Sequence, residues 1–319
     1  MTRRIPTRPS PHFRVEPLDR GVFAAIARPT GHALCNSGIV DLGGLTVVFD
    51  SMLTPMAAED LARAAERCTG RRPDWVVNSH WHGDHIWGNS VFEGSHIVST
   101  HRTKSEIGRR SRAQFRSCRQ GFPDELAALD RPDSRIPPRE RPGLRGWLEG
   151  VVRTPPRHRI VPPNISFNEE LVLEGSRRSL HLVSYGGGHS PSDVFGFLPE
   201  ERILFAGDLA MVEMHPSVSD GWTDRWIGIL QRIERMRPET VLPGHGEPGT
   251  RRHLAVEIDY LRALERIVAG AHRRGSGLRE IRATPVPDRF SDWLFSFMFP
   301  DNLARVHRLA RSGAGRSPP

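Results

Sequence analysis

Residues 79–85 read Ser79-His80-Trp81-His82-Gly83-Asp84-His85 and follow directly on the apolar run Trp75-Val76-Val77. Three imidazoles and one carboxylate therefore stand within six positions. On an extended segment, residues two apart point the same way, so His80 and His82 can close on one cation. Gly83 frees the backbone to turn, which lets Asp84 and His85 face a second one. The competing reading is a solvated polar loop, and the rest of the sequence decides against it.

Outward from this stretch, three further segments share one design. Gly186-Gly187-Gly188-His189-Ser190, Ala206-Gly207-Asp208 and Pro243-Gly244-His245-Gly246 each end an apolar run with glycine beside a single potential ligand. Any one of them alone reads as an ordinary turn. Together they describe ligands just past strand ends, where a β-sandwich gathers its loops. The apolar runs support that architecture. Val22–Ile26, Gly38–Leu42 and Leu45–Phe49 read as strands, the last two joined by the hairpin signal Gly43-Gly44. Thr54-Pro55 opens a helix that Gly70 stops, and Trp75–Val77 is the next strand. After residue 169 the runs at Glu170–Leu173, Leu180–Val183, Val194–Leu198 and Arg202–Phe205 recur about every ten residues, as in an antiparallel sheet. A helix over Ile227–Ile233, a strand at Thr240–Leu242 and an amphipathic helix from Leu254 to Val268 follow. Strands-then-helix thus occurs twice, which fits two sheets packed face to face with helices outside.

Between these halves, residues 102–163 differ. Nine prolines fall between Gly121 and Pro163 amid many arginines. We expect helical fragments at the start of this insertion and irregular chain over much of the rest, forming either a lid over the site or a disordered insertion. Residues 1–15 read as a disordered basic tail, residues 16–319 as one domain, and the chain from about 251 as C-terminal helices.

Composition narrows the partners. No run approaches the ~18 apolar residues that cross a bilayer, so no membrane partner is expected. Three scattered cysteines, Cys35, Cys68 and Cys118, argue against a disulfide framework and for a cytoplasmic location. The net charge of +8 and pI near 10.6 invite a nucleic-acid reading. Yet of the 45 basic residues only Lys104 is lysine, and the arginines are spread along the chain without interleaved aromatics. Nucleic acid is therefore disfavoured, and a small-molecule substrate is expected. Nothing in the sequence speaks to oligomeric state.

The motifs HWHGDH (80–85), GGGHS (186–190), GDL (207–209) and PGHG (243–246) resemble those of the metallo-β-lactamase superfamily, over about residues 16–250. The resemblance implies a four-layer αββα sandwich. It implies that His80, His82 and His189 hold one zinc ion, that Asp84, His85 and His245 hold another, and that Asp208 bridges the two. Donor chemistry agrees, since histidine and carboxylate ligands suit zinc and also accept iron or manganese. Two such ions share a hydroxide whose pKa falls toward ~7. Asp84 is suited to orient that nucleophile and is the catalytic side chain assigned from sequence.

Where some true β-lactamases carry a cysteine ligand, this chain has Asp208, as in glyoxalase II-like thioesterases and lactonases. The expected activity is therefore hydrolysis of a small ester, thioester or lactone. β-Lactamase activity, an iron-dependent persulfide dioxygenase and a phosphodiesterase or nuclease are the alternatives. Outside the motifs, His215 in a Met-Pro loop is a candidate for the cleft. Trp81, Trp87 and Trp222 are candidates for its lining, although packing explains each. His12, His96, His101, His158, His181, His253, His272 and His307 lack glycine-flanked contexts and read as bystanders.

Overall fold

The computed structural model describes residues 9–134 and 136–312. Among these residues, twelve strands form two sheets. The first holds β1 (Phe13–Asp19), β2 (Val22–Ala27), β3 (Ser37–Asp41), β4 (Thr46–Phe49), β5 (Trp75–Val77), β6 (His96–Thr100) and β7 (Ile165–Phe167), hydrogen-bonded in that order. β1 to β4 run antiparallel, and β4 to β7 run parallel because helices cross over between them. The second sheet runs β8 (Glu170–Glu174), β9 (Ser179–Val183), β10 (Phe195–Leu198), β11 (Ile203–Met211) and β12 (Thr240–His245). β8 to β11 are antiparallel, and only the β11–β12 pair is parallel. The helices are α1 (Pro55–Thr69), α2 (Gly83–Ile86), α3 (His101–Glu106), α4 (Arg112–Leu129), α5 (Arg141–Arg153), α6 (Thr223–Arg235), α7 (Arg251–Arg273), α8 (Leu278–Arg282) and α9 (Phe299–Ser312).

Local chemistry sets these boundaries. Gly43 and Gly44 take φ of 86° and 91°, which a tight β3–β4 connection needs and a side chain would resist. The Thr54 hydroxyl accepts from Ala57 N and caps α1, while Gly70 ends the helix in the left-handed region and donates to Glu66 O.

Side-chain alternation then builds the layers. Val40, Val47, Phe49 and Val77 of the first sheet meet Leu180, Leu182, Leu198 and Phe205 of the second in one buried layer. Phe49 stacks on Phe205 across it, with ring centroids 5.7 Å apart. The opposite face of the first sheet, with Ile39, Val48 and Val76, buries Ala57, Leu61 and Ala65 of α1. The opposite face of the second buries Trp226 and Leu230 of α6 and Leu254, Leu261 and Leu264 of α7. This is helix, sheet, sheet, helix, as expected, and it brings the strand ends of both sheets to one rim.

Two expectations are corrected. Ordered structure begins before residue 16. Ser10 donates to Asp60, and β1 starts at Phe13, whose ring is buried. The remainder of the expected tail, residues 1–8, lies outside the described residues. Residues 102–163 are largely helical, comprising most of α3, a π-helical turn at Ile107–Ser111, α4 and α5. The reason is packing. Phe115, Phe122, Leu129, Leu144 and Leu148 of these helices bury themselves against Trp81, Ile86 and Trp87 of the histidine loop. Among the described residues no helix is long and apolar enough to cross a membrane.

Candidate metal centre

The structure brings together all seven residues singled out from sequence: His80 and His82 follow β5, Asp84 and His85 lie in α2, His189 lies in the loop after β9, Asp208 lies within β11 instead of past its end, and His245 closes β12. One group comprises His80, His82, His189 and Asp208; the other comprises Asp84, His85 and His245. In the first, His82 Nδ1 lies 2.9 Å from His80 Nε2 and 3.0 Å from His189 Nε2. In the second, Asp84 Oδ2 lies 3.3 Å from His85 Nε2 and 3.2 Å from His245 Nε2. Asp208 straddles them. Its Oδ2 faces His80 and His189 at 3.8 and 3.4 Å, and its Oδ1 faces His85 and His245 at 3.0 and 3.3 Å.

The outward sides of the rings show which nitrogen carries the proton. Ser79 donates its hydroxyl to Asp50 Oδ2 at 2.8 Å, so it must accept from His80 Nδ1 at 2.9 Å. Asp50 Oδ2 also accepts from His85 Nδ1 at 2.8 Å. The Leu34 carbonyl accepts from His245 Nδ1 at 3.1 Å, and Asp220 Oδ2 accepts from His82 Nε2 at 3.3 Å. Each of these four imidazoles, when neutral, therefore turns a bare lone pair inward. His80 Nε2 and His82 Nδ1 then oppose each other at 2.9 Å without a proton between them. Among the described residues, buried His85 Nε2 and Asp208 Oδ1 likewise make no well-aligned hydrogen bond, although they lie 3.0 Å apart. Converging lone pairs of this kind repel one another unless a cation lies among them, so the residues present fit metal ions.

Charge states point the same way. Burial and the neighbouring histidines hold His80 well below its ordinary value. Burial takes His189 down to about 3, Asp208 opposing. Burial would raise the carboxyls of Asp84 and Asp208, but His85 and His245 outweigh it and hold both well below the usual range. His245 is pushed up to about 10 because Asp208 and Asp84 overcome the effect of burial. Carboxylates thus stay ionised without a metal, and their charge is shared with His85 and His245 until a cation displaces those protons.

Two glycines make the approach of the strands to this site feasible. A Cβ on Gly244 would lie 2.0 Å from Asp208 Oδ1, and one on Gly207 would lie 2.6 Å from Ser79 Cβ. Behind the site, burial pushes Cys35 up to about 12, and its thiol donates to the Asp84 carbonyl.

Asp50 and Asp220 are the functional positions that sequence reasoning did not assign. Asp50, in the left-handed region at φ 66°, follows β4 and accepts from Ser79 and His85 directly, reaching His80 only through the Ser79 hydroxyl. Asp220 lies in the loop before α6 and is held by Arg110, at 3.1 and 3.2 Å, as well as by His82. Arg110 in turn stacks 3.8 Å over the Trp81 ring. His215 does not face the cleft. It is buried, bonded to the Tyr260 hydroxyl and surrounded by Trp293 and Phe299. Trp81 and Trp87 are buried packing residues, and Trp222 stands at the start of α6.

Comparison with known proteins places this geometry. A sequence profile described as the metallo-beta-lactamase superfamily matches residues 30–245. The metallo-beta-lactamase type 2 of Bacteroides fragilis is 26% identical over 116 residues, 34% of this chain and 47% of that protein. The match thus spans less than half of that relative's length. A solved metallo-beta-lactamase from Pontibacter korlensis superposes with a TM-score of 0.59 at 18% identity, over 79% of this chain and 99% of that one. One from Erythrobacter litoralis, with beta mercaptoethanol in its active site, gives 0.58 at 14% identity over 80% and 98%. At such identities the structural likeness concerns the fold.

Proposed function

The chain belongs to the metallo-beta-lactamase superfamily, and from that premise we propose that it is a dinuclear zinc hydrolase of a small ester, thioester or lactone. The observation that carries the proposal is the division of Asp208 between the two donor groups, one oxygen toward each. His80, His82 and His189 would hold one ion and Asp84, His85 and His245 the other. Iron or manganese suits the same donors. Bound there, the ions would supply a water acidified to near neutrality and polarisation of the scissile carbonyl.

The chain's own residues do the rest. Asp84 is the most exposed of the three central carboxylates, at 16% of its side chain, so it is placed to accept a hydrogen bond from the attacking water and orient it. Asp50 and Asp220 hold the imidazole rings in register. Trp81 and Trp87, buried under the insertion helices, keep bulk water away from the back of the site. An aspartate at 208 favours general acyl hydrolysis. The names of the relatives favour β-lactam opening as the second reading. The test is a panel of ester, thioester, lactone, β-lactam and phosphodiester substrates with the zinc-loaded protein. Turnover confined to the first three supports the proposal, turnover confined to the β-lactams supports the second reading, and turnover confined to the phosphodiester overturns both.

A further inference from the structure

Three arginines from distant parts of the chain converge on the loop Asp220-Gly221-Trp222, just before α6. Arg110 comes from the π-helical turn of the insertion, Arg225 from the first turn of α6, and Arg305 from α9. Arg305 lies outside residues 30–245, so α9 adds it to what the family profile covers. The loop itself is part of the metal rim. Asp220 holds His82, and Trp222 N donates to Gly188 O at 2.9 Å. A Cβ on Gly221 would lie 2.6 Å from Gly188 O and 3.0 Å from His189 O, so the loop packs against the segment that carries His189.

Cationic charge here exceeds the carboxylates that face it. Asp220 is shared between Arg110 and His82. Glu106 lies 3.8 Å from Arg110 but also serves Arg102 and Arg109. Asp224 is exposed, and Glu265 accepts from Thr223. Arg225 and Arg305 are half-buried, and neither has an ion pair among the described residues. Arg305 donates from Nε and one terminal nitrogen to Gly221 O at 3.3 and 3.1 Å, which leaves its other terminal nitrogen free. Both guanidinium groups lie beside the half-buried Trp222 ring, Arg225 at 5.2 Å and Arg305 at 5.7 Å from its centroid. Burial, with Arg308 adding, lowers Arg305 from its ordinary value. A half-buried cation that faces another cation and lacks a counterion is unfavourable, and an anion bound beside it offsets that cost.

We propose that Arg305 and Arg225 are specificity-determining residues that bind a carboxylate on the substrate, remote from its scissile bond. The flat donor edge of a guanidinium matches a carboxylate, and Arg110 adds its charge from the insertion. The substrate class is thus an ester, thioester or lactone that carries a free carboxylate. This inference rests on the acyl-hydrolase reading above.

Phenyl esters test it on the zinc-loaded protein. They carry a free carboxylate either at the end of a straight acyl chain of graded length or on the phenyl ring, and each is compared with its methyl-capped neutral counterpart. At the best position the wild type should show a kcat/KM about tenfold or more higher for the charged ester. Added salt should lower that ratio. Arg305→Gln should bring it close to unity through the KM of the charged ester, and Arg305→Lys should retain part of it. Arg305→Gln also removes the bond to Gly221, but a disturbed loop alone would slow both esters alike. Arg225 makes no hydrogen bond among the described residues, so Arg225→Gln leaves the loop's bonds in place and should still lower the ratio. Should Arg305→Gln not fold, Arg225→Gln decides. No charge preference at any position, a ratio that Arg305→Gln leaves unchanged, or equal losses for charged and neutral esters overturns the inference. Calorimetry with the product dicarboxylic acids and their half-methyl esters reads binding without turnover. If no ester is hydrolysed, tighter binding of the diacids that the Gln variants remove would keep the role of the arginines and defeat the acyl-hydrolase reading instead.

Discussion

Asp220→Ala removes a carboxylate that no zinc ion would touch, and its effect can be sized from the structure. Asp220 Oδ2 holds the His82 ring by a 3.3 Å bond to Nε2, which fixes the inward Nδ1 lone pair. Burial would raise the Asp220 carboxyl, but His82 and Arg110 outweigh it and keep it ionised down to about 2. Losing such an outer partner costs about 10- to 100-fold in metal affinity. The bond here is long and the Asp220 side chain is 23% exposed, so the lower end applies, about tenfold or ~1.4 kcal/mol. The partly exposed pair with Arg110 contributes under ~1 kcal/mol to stability, so the fold should survive. Competition with a chromophoric chelator resolves the two zinc constants. Binding at the His80-His82-His189 group should weaken about tenfold, binding at the other group should not change, and Asp220→Asn should fall between. Equal losses at both groups, or no loss at either, would refute the assignment of Asp220 as the residue that orients His82.

Asp84→Ala should lower turnover on the order of 10²-fold or more, since a donor and the orienting group go together. His101→Ala should be nearly silent, because His101 is exposed and its ring bonds to Ser166 and not to the metal cluster; steady-state kinetics on both variants checks the contrast. Gly244→Ala should push the Asp208 carboxylate out of place, since its new Cβ would sit 2.0 Å from Oδ1. Native mass spectrometry should then show fewer bound zinc ions on a folded chain. Glu257 is fully buried, and burial first, with Asp208 adding, holds its carboxyl well above the ordinary range. The folded chain therefore keeps a proton that the unfolded chain releases above ~4.3, so stability falls as pH rises through that window. Glu257→Gln should remove the loss, and its stability advantage in urea should grow between about pH 5 and about pH 8; a constant difference would contradict the assignment.

The legible part of this molecule was the part that depends on short-range geometry. His80 and His82 meet because extended residues two apart share a face, and His189, Asp208 and His245 arrive there because glycine lets neighbouring segments crowd together, as Gly207 and Gly244 do around Asp208. Asp220 was not legible. It lies 138 positions from His82 and follows no motif, so only tertiary structure joins them. The insertion was misread for a different reason. Pro142 stands in the first turn of α5, where its missing N–H costs nothing, and Pro123 lies inside α4, whose packing outweighs the lost bond. Phe115, Phe122 and Leu129, spaced every seven residues along α4, were the signal for that buried face. The short strands β1, β6 and β7 were likewise passed over, because three to seven residues carry little periodicity of their own.

The central claim is that the seven residues hold two metal ions divided by Asp208. Zinc titration of the chelator-stripped chain under native mass spectrometry counts them directly, with Asp208→Ala alongside. The account predicts saturation at two ions per wild-type chain, with loss of at least one in the variant. Saturation at a single ion, or a variant that still binds two with unchanged affinity, would contradict it.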